Sequence, residues 1–325
     1  MTNKISPKTN KKACPICSAT LLCGSKPYSL HELFELWKPI ELSSKIFHTL
    51  SGQAASTQLF VCPKCGLEIF LPQIIGTPEF YSELSRQETL HYYEEDKWEF
   101  REALKDLNKD ARVIEIGCGS GSFLRKIRPV VSEVCGVESN DDALSVAREA
   151  GLNVLKAGED VSNLKMRFDY AFCFHVLEHV SDPVEFLKVI SSLVKPGGRL
   201  GISVPNQDGP IKYINPCIQN MPPHHATRWR ARAFGFLAEK LDFKIEKTAC
   251  EPLTYSSHYY YSTYWVDHLV CKERWNSTWV HSMLRRAMAG LFEGFFKGLR
   301  PLGVRSLPLL KGQALYILMR LPGEE

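Results

Sequence analysis

The sequence lacks the features that would place it across a membrane, outside the cell or on nucleic acid. No uninterrupted apolar run approaches the roughly 18 residues of a membrane-spanning helix. The first residues are polar and rich in lysine, without the apolar core of a secretory signal, so we expect a cytoplasmic chain whose cysteines stay reduced. A net charge of +4 is too small to indicate a nucleic-acid partner by itself.

Extreme composition is also missing, which leaves an ordinary globular protein. Hydrophobic residues make up 44% of the 325 positions and charged residues 23%, enough to build a large core. The one repeated element is a pair of Cys-x-x-Cys knuckles near the N-terminus. No feature of the sequence indicates an oligomeric state.

The most informative stretch, Val113 to Gly121, reads Val-Ile-Glu-Ile-Gly-Cys-Gly-Ser-Gly and precedes a helix-like segment at 122–128. Its apolar half is typical of a parallel strand buried on both faces, and its glycines permit positive φ and close backbone approach to a ligand. Glu115 is the exception, since an acid inside such a strand costs several kcal/mol unless it is hydrogen-bonded. A nucleoside-like cofactor with ammonium or hydroxyl groups would supply that partner.

The spacing of the glycines narrows the choice of cofactor. Gly117, Gly119 and Gly121 form Gly-x-Gly-x-Gly, whereas the dinucleotide fingerprint needs Gly-x-Gly-x-x-Gly or Ala, and position 122 is serine. A second apolar strand, 133–138, ends at Glu138, 17 positions beyond Gly121. This is near the spacing expected for a carboxylate that binds ribose hydroxyls, so Glu138 is the predicted ribose ligand.

Strands and helices alternate along the rest of this region. A helix is expected at 141–150, and another begins at Pro183 after a cap at Ser181 or Asp182 and is broken by Lys195–Gly198. Further strands are predicted at 153–157, 168–175 and 199–204. This alternation predicts an α/β fold with a doubly wound parallel sheet, which binds ligands at the carboxyl ends of its strands.

Together these motifs resemble the class I S-adenosylmethionine-dependent methyltransferases. The resemblance rests on the glycine turn, on the acid at Glu138, on Phe-His-Val-Leu-Glu-His-Val-Ser-Asp-Pro at 174–183 and on Leu-Val-Lys-Pro-Gly-Gly-Arg-Leu at 193–200. It implies a seven-stranded, mostly parallel sheet of order 3-2-1-4-5-7-6 with an antiparallel last strand. Strands 6 and 7 are then expected at 243–250 and 313–321.

The resemblance also implies which residues hold S-adenosylmethionine. Glu115 and Gly117 would face the methionine end, and Gly119 and Gly121 would form the turn under the cofactor. Glu138, followed by Ser139, would contact the ribose, and Glu159 or Asp160 would lie beside the adenine amino group. His175, at the end of strand 4, is the last implied contact.

Two Cys-x-x-Cys knuckles, Cys14-Pro-Ile-Cys17 and Cys62-Pro-Lys-Cys65, offer four thiolates for a tetrahedral, structural Zn²⁺ site. Disulfides are the competing interpretation, which a reducing compartment disfavours. The knuckles are separated by 44 residues, and apolar side chains at helical spacing there predict a helix inserted in the module. We therefore divide the chain into a zinc-ribbon-like module, 1–78, and a methyltransferase domain, 79–325.

A helical, basic insertion is expected before the last strand, at about 255–311. This segment contains eight Lys or Arg and three acids, a net charge of +5, which exceeds the balance of the whole chain. Within it, 283–299 carries apolar residues on one side and charged residues on another. Two interpretations compete: a helical cover packed on the domain, and a helix at 283–300 that lies on an anionic membrane surface.

Histidines are the candidate groups for handling the acceptor. Methyl transfer from a sulfonium is an in-line displacement, so the protein aligns the acceptor and, for a hydroxyl, removes its proton. The loop after strand 5 contains Asn220-Met-Pro-Pro-His-His225, where two prolines stiffen the backbone. We expect His225 to act as general base or acceptor ligand, followed by His224 and by His175 at the end of strand 4. His179 is expected to pack beneath the site instead.

The sequence thus predicts an enzyme that moves a methyl group to oxygen, or as second choice to carbon, of a small-molecule acceptor. A small polar or lipid-linked metabolite is expected, with a sugar or glycan precursor as the first guess. One alternative is a zinc-containing scaffold or regulatory protein that binds S-adenosylmethionine without transfer. A methyltransferase for RNA or protein is disfavoured, because Phe174–Leu177 stands where an Asn-Pro-Pro-Tyr-like motif would follow strand 4.

Overall fold

Two β-sheets organise the chain, which the computed structural model describes over residues 12–87, 94–159, 162–213, 217–254, 278–299, 301 and 306–323. A seven-stranded sheet forms the centre of the larger part of the chain. A five-stranded antiparallel sheet is built mainly by N-terminal residues and packs beside it.

The N-terminal part contains short strands and helices: β1 (Leu22–Cys23), β2 (Tyr28–Ser29), α1 (Leu30–Trp37), α2 (Ser44–Ser51), β3 (Ser56–Val61), β4 (Glu68–Leu71) and α3 (Pro78–Ser85). α1 confirms the helix expected between the cysteine knuckles, and a capping box between Ser29 and Glu32 closes its first turn. A 3-10 turn that contains Pro39 follows and ends at Glu41 in left-handed backbone. The chain therefore changes direction before α2 begins.

The larger part alternates helices and strands: α4 (Trp98–Asp106), β5 (Arg112–Ile116), α5 (Ser122–Ile127), β6 (Glu133–Glu138), α6 (Asp141–Glu149), β7 (Val154–Lys156), β8 (Phe168–Phe174), α7 (Pro183–Ser191), β9 (Val194–Pro205), β10 (Thr227–Arg228), α8 (Ala231–Leu241), β11 (Lys244–Thr254), α9 (Thr278–Leu299) and β12 (Ser306–Arg320). Its sheet has the order β7-β6-β5-β8-β9-β12-β11, and β12 runs antiparallel to both neighbours. This is the predicted order 3-2-1-4-5-7-6, so the doubly wound α/β fold is confirmed.

The fifth strand of this sheet is longer than the sequence indicates. β9 includes Lys195–Gly198, which we expected to precede a strand that starts at Arg199. The pairing of β8 with β9 jumps from Phe168–Val194 to Tyr170–Arg199. The Pro-Gly-Gly segment is therefore a bulge within the strand, where glycine and proline are tolerated, and not a break before it.

The central strand β8 is buried on both faces. Phe172 and Phe174 point to one side, where their rings lie 5.2 and 4.9 Å from that of Phe123 on α5. Ala171 and Cys173 point to the other side and join the core formed with α7 and α8. This double coverage explains why the strand is apolar without alternation, and it fixes the carboxyl end of β8 beside β5.

The N-terminal sheet takes its last strand, β10, from the larger part of the chain. In this pairing Thr227 lies opposite Ile69, and Arg228 lies opposite Glu68. The buried carboxylate of Glu68 accepts hydrogen bonds from Arg230 at 2.6 Å and from Arg228 at 3.5 Å. The predicted zinc-ribbon-like module is thus anchored on the larger domain by backbone pairing and by a buried charge cluster.

The predicted insertion contains α9, which leaves apolar side chains in contact with solvent. Met283, Leu291 and Phe295 are 48%, 67% and 54% exposed. A Cβ added at any of three glycines of this helix would meet nothing within 4 Å: Gly290, Gly294 and Gly298. In the described ranges, no helix is long and apolar enough to cross a membrane. The part of the insertion at 255–277 lies outside the described residues.

Glu68→Ala should lower the free energy of unfolding by about 3 kcal/mol, because it leaves the buried Arg228 without its carboxylate partner. Urea unfolding measures the effect. Glu185→Ala is the matched control, since Glu185 pairs with Lys188 at exposed positions and its loss should cost at most about 1 kcal/mol. Equal losses of stability in the two variants would contradict an anchoring role for Glu68.

Candidate active site

A cavity of about 700 Å³ lies at the carboxyl ends of β5, β6 and β8, where a doubly wound sheet binds its ligands. This volume is in the range of pockets that hold cofactors and small molecules. Most of the predicted site residues line it: Glu115, Gly117, Gly119, Glu138, Ser139, His175, His224 and His225.

All three glycines of the turn after β5 have positive φ, and at Gly117 and Gly121 a side chain would also collide with a neighbour. Gly117 and Gly121 have φ values of +73° and +81°, in the left-handed region that other residues rarely adopt. A Cβ at Gly117 would lie 2.4 Å from Val176, and a Cβ at Gly121 would lie 2.2 Å from Leu152. Gly117 therefore lets the loop after β8 approach the turn, and Gly121 lets the start of α5 lie against the connection between α6 and β7.

Glu138 joins the loops that follow β5 and β6. One carboxylate oxygen accepts the Gly119 N–H at 2.7 Å, and the other accepts the N–H groups of Ser139 and Asn140 at 2.7 and 2.8 Å. A carboxylate oxygen has two lone pairs, so the oxygen that binds Gly119 can accept a further bond from a ligand hydroxyl. This arrangement is consistent with the predicted ribose ligand.

Glu115 presents a buried acid to the cavity. Its side chain is 2% exposed, and within the described residues its Oε2 atom has no hydrogen-bond partner. Burial raises the pKa of Glu115 well above its ordinary value. Leaving a buried polar atom unsatisfied costs stability, and a ligand ammonium or hydroxyl group would remove that cost. The carboxyl group of Glu115 therefore fits the ammonium group at the methionine end of S-adenosylmethionine.

His175 is held between two carboxylates at the end of β8. Its Nε2 atom lies 2.9 Å from Glu99, and its Nδ1 atom lies 3.3 Å from Glu178. Burial alone would lower the pKa of His175, but Glu99 and Glu178 outweigh burial and raise it to about 9. The imidazole is therefore protonated at neutral pH and engaged at both nitrogens. We predicted a catalytic role for His175, and this environment suits a positioning group better than a base.

His179, His224 and His225 form a second group in the same cavity. Their ring centroids are separated by 4.4 to 5.0 Å. Burial, with a further contribution from the neighbouring histidines, lowers the pKa of His224 and of His225 well below the ordinary value. Both imidazoles are therefore neutral at neutral pH. His179, which we expected beneath the site, contributes to the wall of the cavity.

Five acids in the cavity wall are missing from the sequence prediction: Glu94, Asp96, Glu99, Glu178 and Glu251. Glu178 lies between His175 and His179 in the motif that follows strand 4. Its place between two candidate histidines could have identified it as a site residue. Glu99 comes from α4 and Glu251 from β11, and neither has a local pattern that marks it. Only the assembled fold brings these two acids to the site.

Two predicted cofactor residues, Gly121 and Glu159, do not line the cavity. Gly121 begins α5 behind the turn. Glu159 is exposed, accepts the Lys156 N–H at 3.1 Å and does not line the cavity. Asp160 lies outside the described residues. The adenine contact assigned to Glu159 or Asp160 stays a prediction.

Four cysteine sulfurs converge at the N-terminal sheet, and all lie within 4.8 Å of one another. The Sγ atoms of Cys14 and Cys65 are 3.6 Å apart, and those of Cys17 and Cys62 are 3.3 Å apart. A disulfide would need about 2 Å. Thiolates around tetrahedral zinc, at about 2.3 Å from the ion, are separated by roughly 3.8 Å. The donor set therefore fits Zn²⁺ better than disulfides.

Glu115→Leu should affect stability and ligand binding in opposite directions. Without cofactor, removal of the unsatisfied acid should raise the free energy of unfolding by about 1–2 kcal/mol. The same change should weaken S-adenosylmethionine binding at least tenfold, because the predicted partner of its ammonium group is lost. Thermal unfolding and calorimetric titration measure the two effects.

Glu149→Leu is the control for this substitution, since it removes an exposed helical acid remote from the cavity and should change neither quantity. A destabilised Glu115→Leu variant with unaltered affinity would contradict the assignment of Glu115.

Comparison with known proteins agrees with this geometry. Residues 90–248 match a family model described as a methyltransferase domain. Ubiquinone biosynthesis O-methyltransferases from Aeromonas salmonicida and Stutzerimonas stutzeri are 34% and 33% identical over 111 and 105 residues. These alignments cover 32% and 30% of this chain, and 46% and 45% of the relatives. The chain thus spans less than half the length of the curated relatives it matches.

Solved structures of methyltransferases are similar to this chain at low sequence identity and with TM-scores below 0.5. A methyltransferase from Thermotoga maritima, titled a possible histamine N-methyltransferase, is 17% identical with a TM-score of 0.46, covering 75% of this chain and 96% of its own. One from Archaeoglobus fulgidus is 20% identical with a TM-score of 0.44, covering 75% and 95%. The family match thus identifies a methyltransferase domain at residues 90–248, and the sheet order is the one expected of the class I S-adenosylmethionine-dependent methyltransferases.

Proposed function

We propose that this protein transfers a methyl group from S-adenosylmethionine to an oxygen atom of a small-molecule acceptor, with carbon as the second choice. The observation that carries the proposal is the shared cavity: the glycine turn, Glu115 and Glu138 line it together with the neutral imidazole of His225. The names of the relatives, which are O-methyltransferases, support oxygen as the acceptor atom.

The cofactor half of the cavity is formed by residues after β5 and β6. Glu115 would bind the ammonium group of the cofactor, and Glu138 would bind its ribose hydroxyls. S-adenosylmethionine, when bound, supplies a methyl group on a positively charged sulfur. The protein contributes alignment, because an in-line displacement depends on the position of the acceptor.

The acceptor half is formed by the histidine loop, and its hydrogen bonds determine which nitrogen of His225 meets the acceptor. His225 Nδ1 lies 3.0 Å from Asn220 Oδ1, and Asn220 Nδ2 donates to Gln207 Oε1 at 3.2 Å. Because an amide oxygen only accepts, Nδ1 of the neutral ring carries the proton and Nε2 has a lone pair. That lone pair would accept the hydroxyl proton of the acceptor. His224, beside it, would help to orient the acceptor.

For the substrate class, we propose a small polar or lipid-linked metabolite, with a sugar or glycan precursor as the first candidate. Acids and imidazoles dominate the acceptor side of the cavity, and such groups bind hydroxyls. The exposed apolar side chains of α9 support the lipid-linked form, because this helix would rest on an anionic membrane surface and hold the protein near its substrate.

We also propose that Cys14, Cys17, Cys62 and Cys65 hold a structural Zn²⁺ ion. Four thiolates leave no open position for water or substrate, so this ion would stabilise the N-terminal sheet and take no part in transfer. The sulfurs lie at the base of the sheet that contributes β4 and Glu68, and Cys62 and Cys65 are buried in the core shared with α8. The zinc would thereby support the anchoring of β10.

His225→Gln should slow single-turnover methyl transfer about 100-fold or more, because glutamine cannot take the hydroxyl proton. The dissociation constant for S-adenosylmethionine should stay unchanged, since His225 lies on the acceptor side. Transfer is measured with methyl-labelled cofactor and an extract fraction that contains the acceptor. His48→Gln, at an exposed helical position, is the control. Unchanged transfer in His225→Gln would contradict the proposed role.

A double variant, Phe292→Asp with Phe295→Asp, should lose binding to vesicles of anionic lipid, because two charges replace apolar side chains on α9. Co-sedimentation with the vesicles measures binding, and added salt should weaken binding of the unmodified protein. Val189→Asp, at an exposed apolar position on α7, is the control and should bind normally. Failure of the unmodified protein to bind at any salt concentration would contradict the membrane contact.

A further inference from the structure

The group of three histidines has a geometry that acceptor binding alone does not require. One ring nitrogen from each of His179, His224 and His225 can be chosen so that all three lie within 4.8 Å of one another. Two of the rings are buried and the third is half-buried. Burial of three polar rings costs free energy, which a ligand shared by all three would offset.

The far side of each ring is held by an oxygen atom. His179 Nδ1 bonds the His224 carbonyl at 2.5 Å, His224 Nδ1 bonds the Gln219 carbonyl at 2.8 Å, and His225 Nδ1 bonds the Asn220 amide oxygen at 3.0 Å. These oxygens only accept, so Nδ1 of each ring carries the proton of its hydrogen bond. Such bonds fix ring orientation and leave Nε2 as the ligand atom, as outer partners do around metal-ligating histidines.

Glu178 completes the arrangement with a carboxylate. Its Oε1 atom lies 4.0 Å from Nε2 of His179 and 4.0 Å from Nε2 of His225. The side chain is 1% exposed, and its Oε2 atom is buried without a hydrogen-bond partner in the part of the chain that the structure describes. Oε1 also bonds His175 Nδ1 at 3.3 Å, so the spare capacity of the carboxylate is at Oε2. A buried carboxylate that faces two of these imidazoles and keeps one oxygen unsatisfied is a second, independent indication of a bound cation.

We infer that His179, His224, His225 and Glu178 form a binding site for a divalent transition-metal ion. Imidazole nitrogens with one carboxylate suit Zn²⁺, Co²⁺, Ni²⁺ or Fe²⁺, whereas Mg²⁺ and Ca²⁺ prefer oxygen ligands. Nitrogen ligands of tetrahedral zinc, at about 2.0–2.1 Å from the ion, are separated by roughly 3.4 Å. The present spacing is wider, so small ring rotations would close the site on the ion.

The role of the metal ion rests on the proposed function, because it requires that the acceptor bind in this cavity. A cation here would lie in the wall of the methyl-transfer cavity, where it would bind the acceptor oxygen and lower the pKa of its hydroxyl group. His225 Nε2 cannot be a metal ligand and a proton acceptor at the same time. With the ion bound, the hydroxyl proton would pass to water instead of His225, and the ion would stabilise the resulting alkoxide oxygen, which then takes the methyl group.

Cobalt distinguishes this site from the cysteine site. The full chain, with zinc already bound at the cysteines, is titrated with Co²⁺ while visible absorption and binding heat are recorded. We expect one Co²⁺ per chain, with weak d–d bands and no thiolate-to-cobalt charge transfer. His179→Gln and His225→Gln should each weaken this binding at least tenfold, whereas His48→Gln should bind as the unmodified protein does.

X-ray absorption of the Co²⁺-loaded, unmodified protein gives a second test that does not depend on the folding of variants. Scattering from imidazole nitrogen and oxygen, without sulfur, is the expected result. Failure to bind Co²⁺, sulfur in its ligand shell, or unchanged affinity in both variants would overturn the inference. Binding of Co²⁺ without methyl transfer would retain the metal site and refute the proposed function, and transfer without Co²⁺ binding would do the reverse.

Discussion

The buried carboxylate of Glu68 is the interaction on which the acceptor side of the cavity depends. It accepts hydrogen bonds from Arg230 and Arg228, which hold β10 against β4, and from Gln207 at 3.3 Å. Gln207 in turn accepts from Asn220, whose amide oxygen fixes the ring of His225. The N-terminal sheet therefore does more than precede the methyltransferase domain, because its charge sets the orientation of a histidine in the cavity.

The two halves of the cavity are built in different ways. The cofactor half uses loops that directly follow β5 and β6, and its main contact, from Gly119 to Glu138, joins neighbouring strands. The acceptor half combines α4, the turn after β8, the loop before β10 and β11. Each half contains a buried acid with one carboxylate oxygen that has no hydrogen-bond partner among the described residues, Glu115 in the first half and Glu178 in the second. In both cases the buried carboxyl oxygen costs free energy, and a positively charged ligand would offset that cost.

This difference explains how much could be predicted from the sequence. Sheet order, the glycine turn and Glu138 follow from local patterns, because each strand and the loop after it are contiguous. The prediction that Lys195–Gly198 lies before the fifth strand was wrong. Proline and glycine normally end an element, and only the pairing with β8 shows that the strand includes this segment as a bulge. Glu99 and the contact of β10 with β4 could not be predicted, because their partners are distant in the chain.

The most direct test of the account is mass spectrometry of small molecules after purified protein and methyl-labelled S-adenosylmethionine are added to a cell extract. The account predicts a labelled product that carries the methyl group on oxygen, formed by the unmodified protein and strongly reduced with His225→Gln. Absence of any labelled small molecule, with the cofactor bound and intact, would contradict the assignment of this protein as a methyltransferase of small acceptors.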